Sequence, residues 1–459
     1  MIFQPEQFTT NSLRMSPRGN DICQVLAAAI NSADAGVCIK SKVSLNAGKL
    51  IIANTSYDLE EYKRVFAIGA GKAVVPMARA LFEILGEHIT VGILITKDGY
   101  QGKNNTIIKH HGKIIQASHP VPDYRNLDAS SQMISIIQGV TSDDLVICLL
   151  SGGGSSLMMK PSPGLSLKDI QDTTTLLLNF GAPINEINTI RKHLDELKGG
   201  GLAKLLFPAT VISLFLSDVI GDSFDMIASG PTVADPTTYR DAWEVLKKYQ
   251  IFDQTPPQVR AHLSDGMAGH ISETFKPGHP VFDKVQNILI GNNTQTALAA
   301  IQAAGAVGFA TKLLTTSLHG EASQLGETIA DNAKSFLDSP SNITRPACLI
   351  AGGETTVTIK GTGKGGRNQE LALGAVKCLS GADQIVLISL ATDGGDGPTD
   401  AAGAVVTNQT YSRGLDFGLN PTENLERNDS YHYFEPLGDL IKTGPTLTNV
   451  NDLVFIFGL

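Results

Sequence analysis

The chain has 459 residues, more than one hydrophobic core ordinarily supports, so two domains are expected. Charged residues make up 18% and apolar residues 42%, with 46 glycines, which excludes a disordered chain and suits an α/β protein rich in tight loops. The net charge of -9 argues against a nucleic-acid partner and requires that any anionic ligand be met by local clusters of cations.

The five cysteines, Cys23, Cys38, Cys148, Cys348 and Cys378, lie mostly in apolar runs, which reads as buried thiols in a reducing compartment rather than as a disulfide frame or metal site. The N-terminal segment lacks a basic region followed by an apolar core, and no segment approaches the roughly 18 apolar residues of a membrane helix. A cytoplasmic location with no membrane partner is therefore expected.

Residues 21–39 carry apolar side chains at helical spacing. The first firm strand is expected over 64–68, followed by GAGKA at 69–73 and a helix over 74–85. In that layout Gly69 and Gly71 let the backbone approach a phosphate, and the helix start offers N–H groups to it. Lys72 opposes the helix dipole there, which favours a functional use of its ammonium over a plain surface lysine. A strand over 91–96 comes next, and residues 114–120 run into a loop where His119 reads as an acid–base group or as a structural residue. Residues 144–150, DLVICLL, suit the centre of a parallel sheet and end in SGGGSSLM. Ser151, Gly152, Gly153, Gly154, Ser155 and Ser156 then read as a phosphate or nucleotide site at the sheet's carboxyl edge. The rival readings are a nucleophilic Ser155, which the absence of G-x-S-x-G disfavours, and a simple tight turn.

Residues 185–206 read as a helix interrupted at 199–201, with Arg191 and Lys198 two turns apart and facing either a ligand or solvent. A strand over 210–216 delivers SDVIGD, whose Asp218 and Asp222 suit hydrated magnesium, a proton from a substrate hydroxyl, or a turn. SGPTVADPTTY at 229–239 and the polar stretch to 279 mark a domain junction. A second α/β series is expected beyond it, with strands at 287–291 and 310–315 and helices at 294–304 and 320–337.

Two further strands are expected at 347–351 and 355–359, then a glycine-rich loop and a helix opening at Gln369 with Asn368 as its cap. Gly361, Gly363, Gly365 and Gly366 with Lys364 and Arg367 form a plausible anion cradle, although the spacing matches neither the P-loop nor the dinucleotide fingerprint and an ordinary loop is an equal reading. A strand over 385–391 delivers TDGGDGPTDAAG, where Asp393, Asp396 and Asp400 crowd together and call for a cation. Asp393 and Asp396 are read as magnesium ligands. A last apolar strand covers 453–457.

Taken in order, GAGKA, LLSGGGSSLM, NTIRKHLDELKGGGLA, SDVIGD, SGPTVAD, GGETTV, GKGGRNQE, TDGGDGPTDAAGA and TNVND make the chain resemble, over roughly residues 68–453, the glycerate 2-kinases of the two-domain family ending in the MOFRL domain. The resemblance implies an α/β fold with a Rossmann-like N-terminal domain and a parallel-rich sheet, a smaller C-terminal α/β domain, and an active site in the cleft between them. The boundaries expected are 1–240, a connecting helical segment at 241–285, and 286–459, with the MOFRL-type region at about 346–453. The activity implied is phosphorylation of D-glycerate to 2-phosphoglycerate, with ATP and Mg2+ as cofactors, small-molecule substrates as partners and no nucleic acid or membrane. The family's catalytic lysine and arginine map to Lys72 and Arg367. Arg191, Lys198, Asp218 and Glu354 are expected to bind substrate. One departure is Leu447 in TGPTLTNVND, where the family pattern has glycine. A hydroxypyruvate reductase is the competing enzyme, disfavoured because no G-x-G-x-x-G precedes an acid about 20 residues on. A non-catalytic sugar-acid-binding protein is disfavoured by three clustered carboxylates.

Overall fold

A computed structural model of the chain describes residues 3–102, 108, 111–337, 343–382 and 384–459. They form two compact units, Ala35–Ile290 on the one hand and Met1–Asp34 with Gly291–Leu459 on the other.

The unit Ala35–Ile290 is built on a six-stranded sheet in the order Gly112–Ala117, Val91–Lys97, Arg64–Ala70, Asp144–Ser151, Thr210–Leu216, Val285–Gly291. The first five pair in parallel. Asp144–Ser151 is buried at every position, as an apolar strand covered on both faces must be. Ala70 lies opposite Leu150 and Ser151 opposite Leu216, so the GAGK, SGGGSS and SDVIGD loops all leave one carboxyl edge. A small antiparallel sheet, Val43–Asn46, Lys49–Ile52 and Thr55–Asp58, was not anticipated from the sequence.

Two expectations about boundaries are corrected in this unit. The strand expected to open the second series is instead the edge of this first sheet: Val211 N–H donates to Lys284 O at 2.9 Å, and Thr232 and Asn287 exchange two hydrogen bonds. The segment 241–285 is no connector either. Its helices Tyr239–Lys248 and Pro257–Met267 share a core with Ile187, Ile190 and Leu194 through Leu246, Val259 and Leu263.

The second unit has a sheet in the order Ala310–Leu318, Ala347–Gly353, Asp452–Gly458, Ile385–Ala391, Gly403–Thr407, Leu440–Ile441. Only the first pair is parallel, and Asp452–Gly458 lies antiparallel between its two neighbours. Residues 1–34 belong here rather than to the N-terminal domain, because Ile22, Leu26 and Ile30 of the helix Gly19–Ser32 fill one core with Phe455, Phe457 and Ala300. The strand expected at 355–359 does not form. Thr356 makes a single bridge with Glu321, whose carboxylate also binds Thr358, and Ile359 is 80% exposed. All five cysteines are free thiols. Among the described residues no single helix is long and apolar enough to cross a membrane.

Candidate active site

At the edge of the parallel sheet, the GAGK loop differs from the expected phosphate cradle. Gly71 N–H donates to Ile95 O at 3.1 Å, Lys72 N–H to Gly152 O at 2.9 Å and Ala73 N–H to Ser151 Oγ at 3.1 Å. These bonds occupy the amides thought to face a ligand, and Ser151 becomes a structural acceptor. Gly69 and Gly71 are required by packing instead, since a Cβ would lie 2.3 Å from Leu149 O and 2.1 Å from Ser151 Oγ respectively. What the loop offers chemically is the side chain of Lys72.

The SGGGSS turn is where charged groups converge. Gly153, at φ +84°, opens the short helix Gly154–Leu157, and a Cβ on it would meet the His119 ring at 3.0 Å and Lys72 Cγ at 3.3 Å. A Cβ on Gly152 would strike the Asp218 carboxylate at 1.8 Å. Burial, and after it Lys72, Lys97 and Arg191, push His119 down to about 4, so the imidazole is neutral in the midst of three cations. His119 thus belongs to the site, and Lys97 joins it without any sequence signal beyond its place at a strand end.

Ser155 Oγ lies 2.7 Å from Ser229 Oγ, which donates to Asn188 Oδ1 at 3.1 Å. A nucleophilic Ser155 has no base in this arrangement. Ala228, Ser229 and Gly230 all occupy the left-handed region, at φ 52°, 59° and 60°, a strained run that SGPTVAD revealed only as turn formers.

Arg191 and Lys198 are not on one helix as expected, because the helix Ile184–His193 ends before Lys198. They nevertheless line one cavity together with Ser155, Ser156 and Asp195. Lys198 is buried and bonds Asp195 Oδ2 at 2.6 Å and Met158 O at 3.3 Å, while burial presses the ammonium down and the carboxyl up. Arg191, whose guanidinium burial also pushes down, has no carboxylate partner among the described residues.

In the other unit the helix Arg367–Leu379 starts two residues earlier than expected, with Gly366 as N-cap and Asn368 inside the first turn. Its real cap is Asp396, which accepts from Asn368 N–H at 3.0 Å and Gln369 N–H at 2.9 Å, and from both side-chain amides. Burial, despite these bonds, raises Asp396 to about 6, with Asp452 adding to the shift. Both carboxylate oxygens of Asp396, read in the sequence as a magnesium ligand, are thus engaged by the start of this helix.

Asp400 has a lysine for its cation, Lys442 at 3.1 Å, besides Tyr431 OH at 2.8 Å, and Asp393 accepts from Gly395 N–H at 3.1 Å. No group of three or more His, Cys, Asp or Glu residues able to hold a metal occurs among the described residues. The glycines of the expected cradle are packing devices too: Cβ atoms on Gly361, Gly363, Gly365 and Gly366 would strike Arg427, Asp429, Ser430 and Asp396. Lys364 rests its ammonium 3.8 Å from the centre of the Tyr431 ring.

Arg367 bonds Asp452 through Nε at 2.5 Å and Nη2 at 3.1 Å, and pairs with Glu354 at 2.8 Å. Burial opposes its charge, but Asp452, Glu354 and Asp396 together hold its pKa above the usual arginine value. Glu354 is thereby an orienting partner of Arg367. Asp452, missed in the sequence, is itself framed by Asn293, whose Nδ2 donates to Val450 O and Asp452 O at 2.9 Å each.

A domain of unknown function, DUF4147, matches residues 21–264, and the MOFRL family matches residues 347–452. The glycerate 2-kinase of Pyrococcus horikoshii is 40% identical, over 94% of this chain and 95% of its own. A putative hydroxypyruvate reductase of Agrobacterium vitis is 41% identical over 85% and 86%. The crystal structure of a glycerate kinase from Thermotoga maritima superposes with a TM-score of 0.82 at 39% identity, covering 95% of this chain and 98% of that one.

Proposed function

The chain belongs to the glycerate 2-kinase family, and on that premise we propose that it transfers the γ-phosphoryl group of ATP to the 2-hydroxyl of D-glycerate, giving ADP and 2-phosphoglycerate. The observation that carries this reading is the gathering of Lys72, Lys97 and Arg191 around an uncharged His119 in a chain of net charge -9. Such a gathering is unfavourable unless an anion enters it.

Phosphoryl transfer needs positioning and charge neutralisation more than covalent chemistry. Lys72 is proposed to stabilise charge on the transferring group, with the N–H groups of Gly153 and Gly154 binding phosphate oxygens, and Arg367 is proposed as the charge-stabilising cation of its own unit. Arg191 and Lys198 hold the carboxylate of the acceptor. Asp218, against Gly152, lies beside this turn and is proposed to meet the acceptor hydroxyl. The acids of the 393–400 loop are occupied by helix-capping and lysine contacts and do not build a resident magnesium cage, so magnesium is proposed to enter with the nucleotide substrate.

The reductase reading is disfavoured by the GAGK loop, whose amides are taken by Ile95, Gly152 and Ser151 and cannot cradle a pyrophosphate. Incubation with ATP and D-glycerate should form ADP in step with a phosphomonoester that phosphorus NMR identifies as 2-phosphoglycerate. Oxidation of NADH by hydroxypyruvate, with no ADP formed from glycerate, would overturn the proposal.

A further inference from the structure

Asn188 sets the direction of a buried hydrogen-bond chain. Its Nδ2 donates to Met226 O at 3.4 Å, so its Oδ1, 3.1 Å from Ser229 Oγ, is an acceptor only. Ser229 therefore commits its one proton to Asn188. Ser155 Oγ lies 2.7 Å from Ser229 Oγ, and with that proton already committed Ser155 must be the donor of the pair. Ser156 similarly donates to Gly153 O at 3.2 Å. Both serines line a cavity of about 30 Å3, and because each hydroxyl proton is committed elsewhere, what either oxygen can offer a ligand is a lone pair.

A phosphate or carboxylate oxygen has no proton to offer such a wall and would be repelled by it. An alcohol has one. The same cavity is lined by Arg191, half-buried and without a carboxylate partner among the described residues, and by Lys198. Its volume admits a group or two of the size of a water molecule. Cations for a carboxylate thus stand beside acceptors for a hydroxyl. Ala228 and Ser229, held left-handed at φ 52° and 59°, are the strained backbone that keeps the chain of hydroxyls in place.

We propose that this cavity is the acceptor subsite, in which Arg191 and Lys198 take the carboxylate while Ser155 accepts a hydrogen bond from the substrate hydroxyl that is not phosphorylated. Ser155 is then a specificity-determining residue that selects a small dihydroxy acid over a monohydroxy acid, and its side chain serves the acceptor rather than the nucleotide phosphates. The inference rests on the glycerate kinase reading.

The test is calorimetric titration of D-glycerate and of D-lactate, which lacks the 3-hydroxyl, into the full chain in the presence of ADP. The wild type should bind D-glycerate on the order of 10-fold more tightly. In Ser155→Ala that preference should fall to within about twofold, with D-lactate affinity nearly unchanged, because the loss of a hydroxyl acceptor touches only the ligand with the extra hydroxyl. Ser229→Ala, which frees the Ser155 proton, should give an intermediate preference. Thermal melting establishes that each variant is folded, and if Ser155→Ala is not, an unchanged preference in Ser229→Ala alone overturns the inference. It is also overturned if Ser155→Ala weakens both acids equally, or weakens ADP and leaves the acids alone. A wild type that neither binds nor phosphorylates D-glycerate would instead overturn the kinase reading.

Discussion

Asp452 holds Arg367 at two points, Nε at 2.5 Å and Nη2 at 3.1 Å, so the plane of the guanidinium is set by the end of a central strand. Glu354 takes Nη1 at 2.8 Å, which leaves one N–H on each terminal nitrogen for a ligand. Arg367→Ala should lower kcat by about 100- to 1000-fold, the usual loss for a charge-stabilising donor. Arg367→Lys should restore little, because a point charge cannot keep the two-point grip. Asp452→Asn should lower kcat by roughly 10-fold and leave KM near normal, since it disturbs orientation and not charge delivery. Steady-state kinetics with circular dichroism checks all three, and a near-normal kcat in folded Arg367→Ala removes that residue from the mechanism.

Asp396 accepts four hydrogen bonds at the start of the helix that carries Arg367. In Asp396→Asn one oxygen becomes an NH2 group facing an N–H, so two bonds are lost and a donor meets a donor. The variant should lose about 2–4 kcal/mol of stability, seen as a lower melting temperature, while the magnesium concentration for half-maximal turnover stays unchanged. Unaltered melting with a raised magnesium requirement would reinstate Asp396 as a ligand of the ion.

The central strands Asp144–Ser151 and Asp452–Gly458 are legible in the sequence because an unbroken apolar run of that length is explained by burial on both faces. Their neighbours in space are not. Apolar spacing in Gly19–Ser32 reveals a buried face without revealing which sheet receives it, and the same holds for Val285–Gly291. Lys72, Lys198, Lys364 and Arg367 stand out in the sequence as cations, and the structure places Lys72, Lys198 and Arg367 beside other charged groups and Lys364 over the Tyr431 ring. Glycine spacing misleads, because a glycine admitting a neighbouring strand looks the same as one admitting a phosphate. Gly71 answers to Ser151 and Gly366 to Asp396, contacts that only the folded chain creates. Lys97 and Asp452 are single charges at strand ends, and no local pattern separates them from ordinary turn residues.

His119, at about 4, is depressed by burial first and by Lys72, Lys97 and Arg191 after it. An unfolded chain protonates its histidine near the ordinary value of about 6.5. Between those two values the unfolded state binds the proton and the folded state does not, so this group's contribution to stability is present above about 6.5 and is lost as pH falls toward about 4. The loss is at most roughly 3 kcal/mol. His119→Gln removes the titration while keeping a neutral polar side chain. The gap between its denaturation midpoint and that of the wild type should therefore move in favour of the variant on going from pH 7.5 to pH 5. A gap that does not change with pH would show that His119 is not held neutral by these cations.

Leu447 adopts φ +62°, a left-handed backbone that a leucine rarely takes, at the position where the sequence resemblance leads to an expectation of glycine. The surrounding loop is fixed by bonds it cannot give up. Thr446 donates its N–H to Asp393 O at 3.1 Å and its hydroxyl to Thr392 O at 2.6 Å, and Thr392 donates its own hydroxyl to Asn451 O at 2.6 Å. The residue between these anchors must therefore accept the strained conformation. A left-handed L-residue costs about 1–2 kcal/mol, against about 0.5–1 kcal/mol for the extra freedom of glycine in the unfolded chain. Leu447→Gly should accordingly be more stable than Leu447→Ala by roughly 0.5–1 kcal/mol, read from the midpoints of guanidinium denaturation, because both variants give up the side chain and only the first relieves the strain. Leu447→Ala keeps the Cβ that creates the strain and gives up the contacts of a half-buried side chain, so it should be destabilising. If both variants lose stability to the same extent, packing of the Leu447 side chain outweighs the backbone strain.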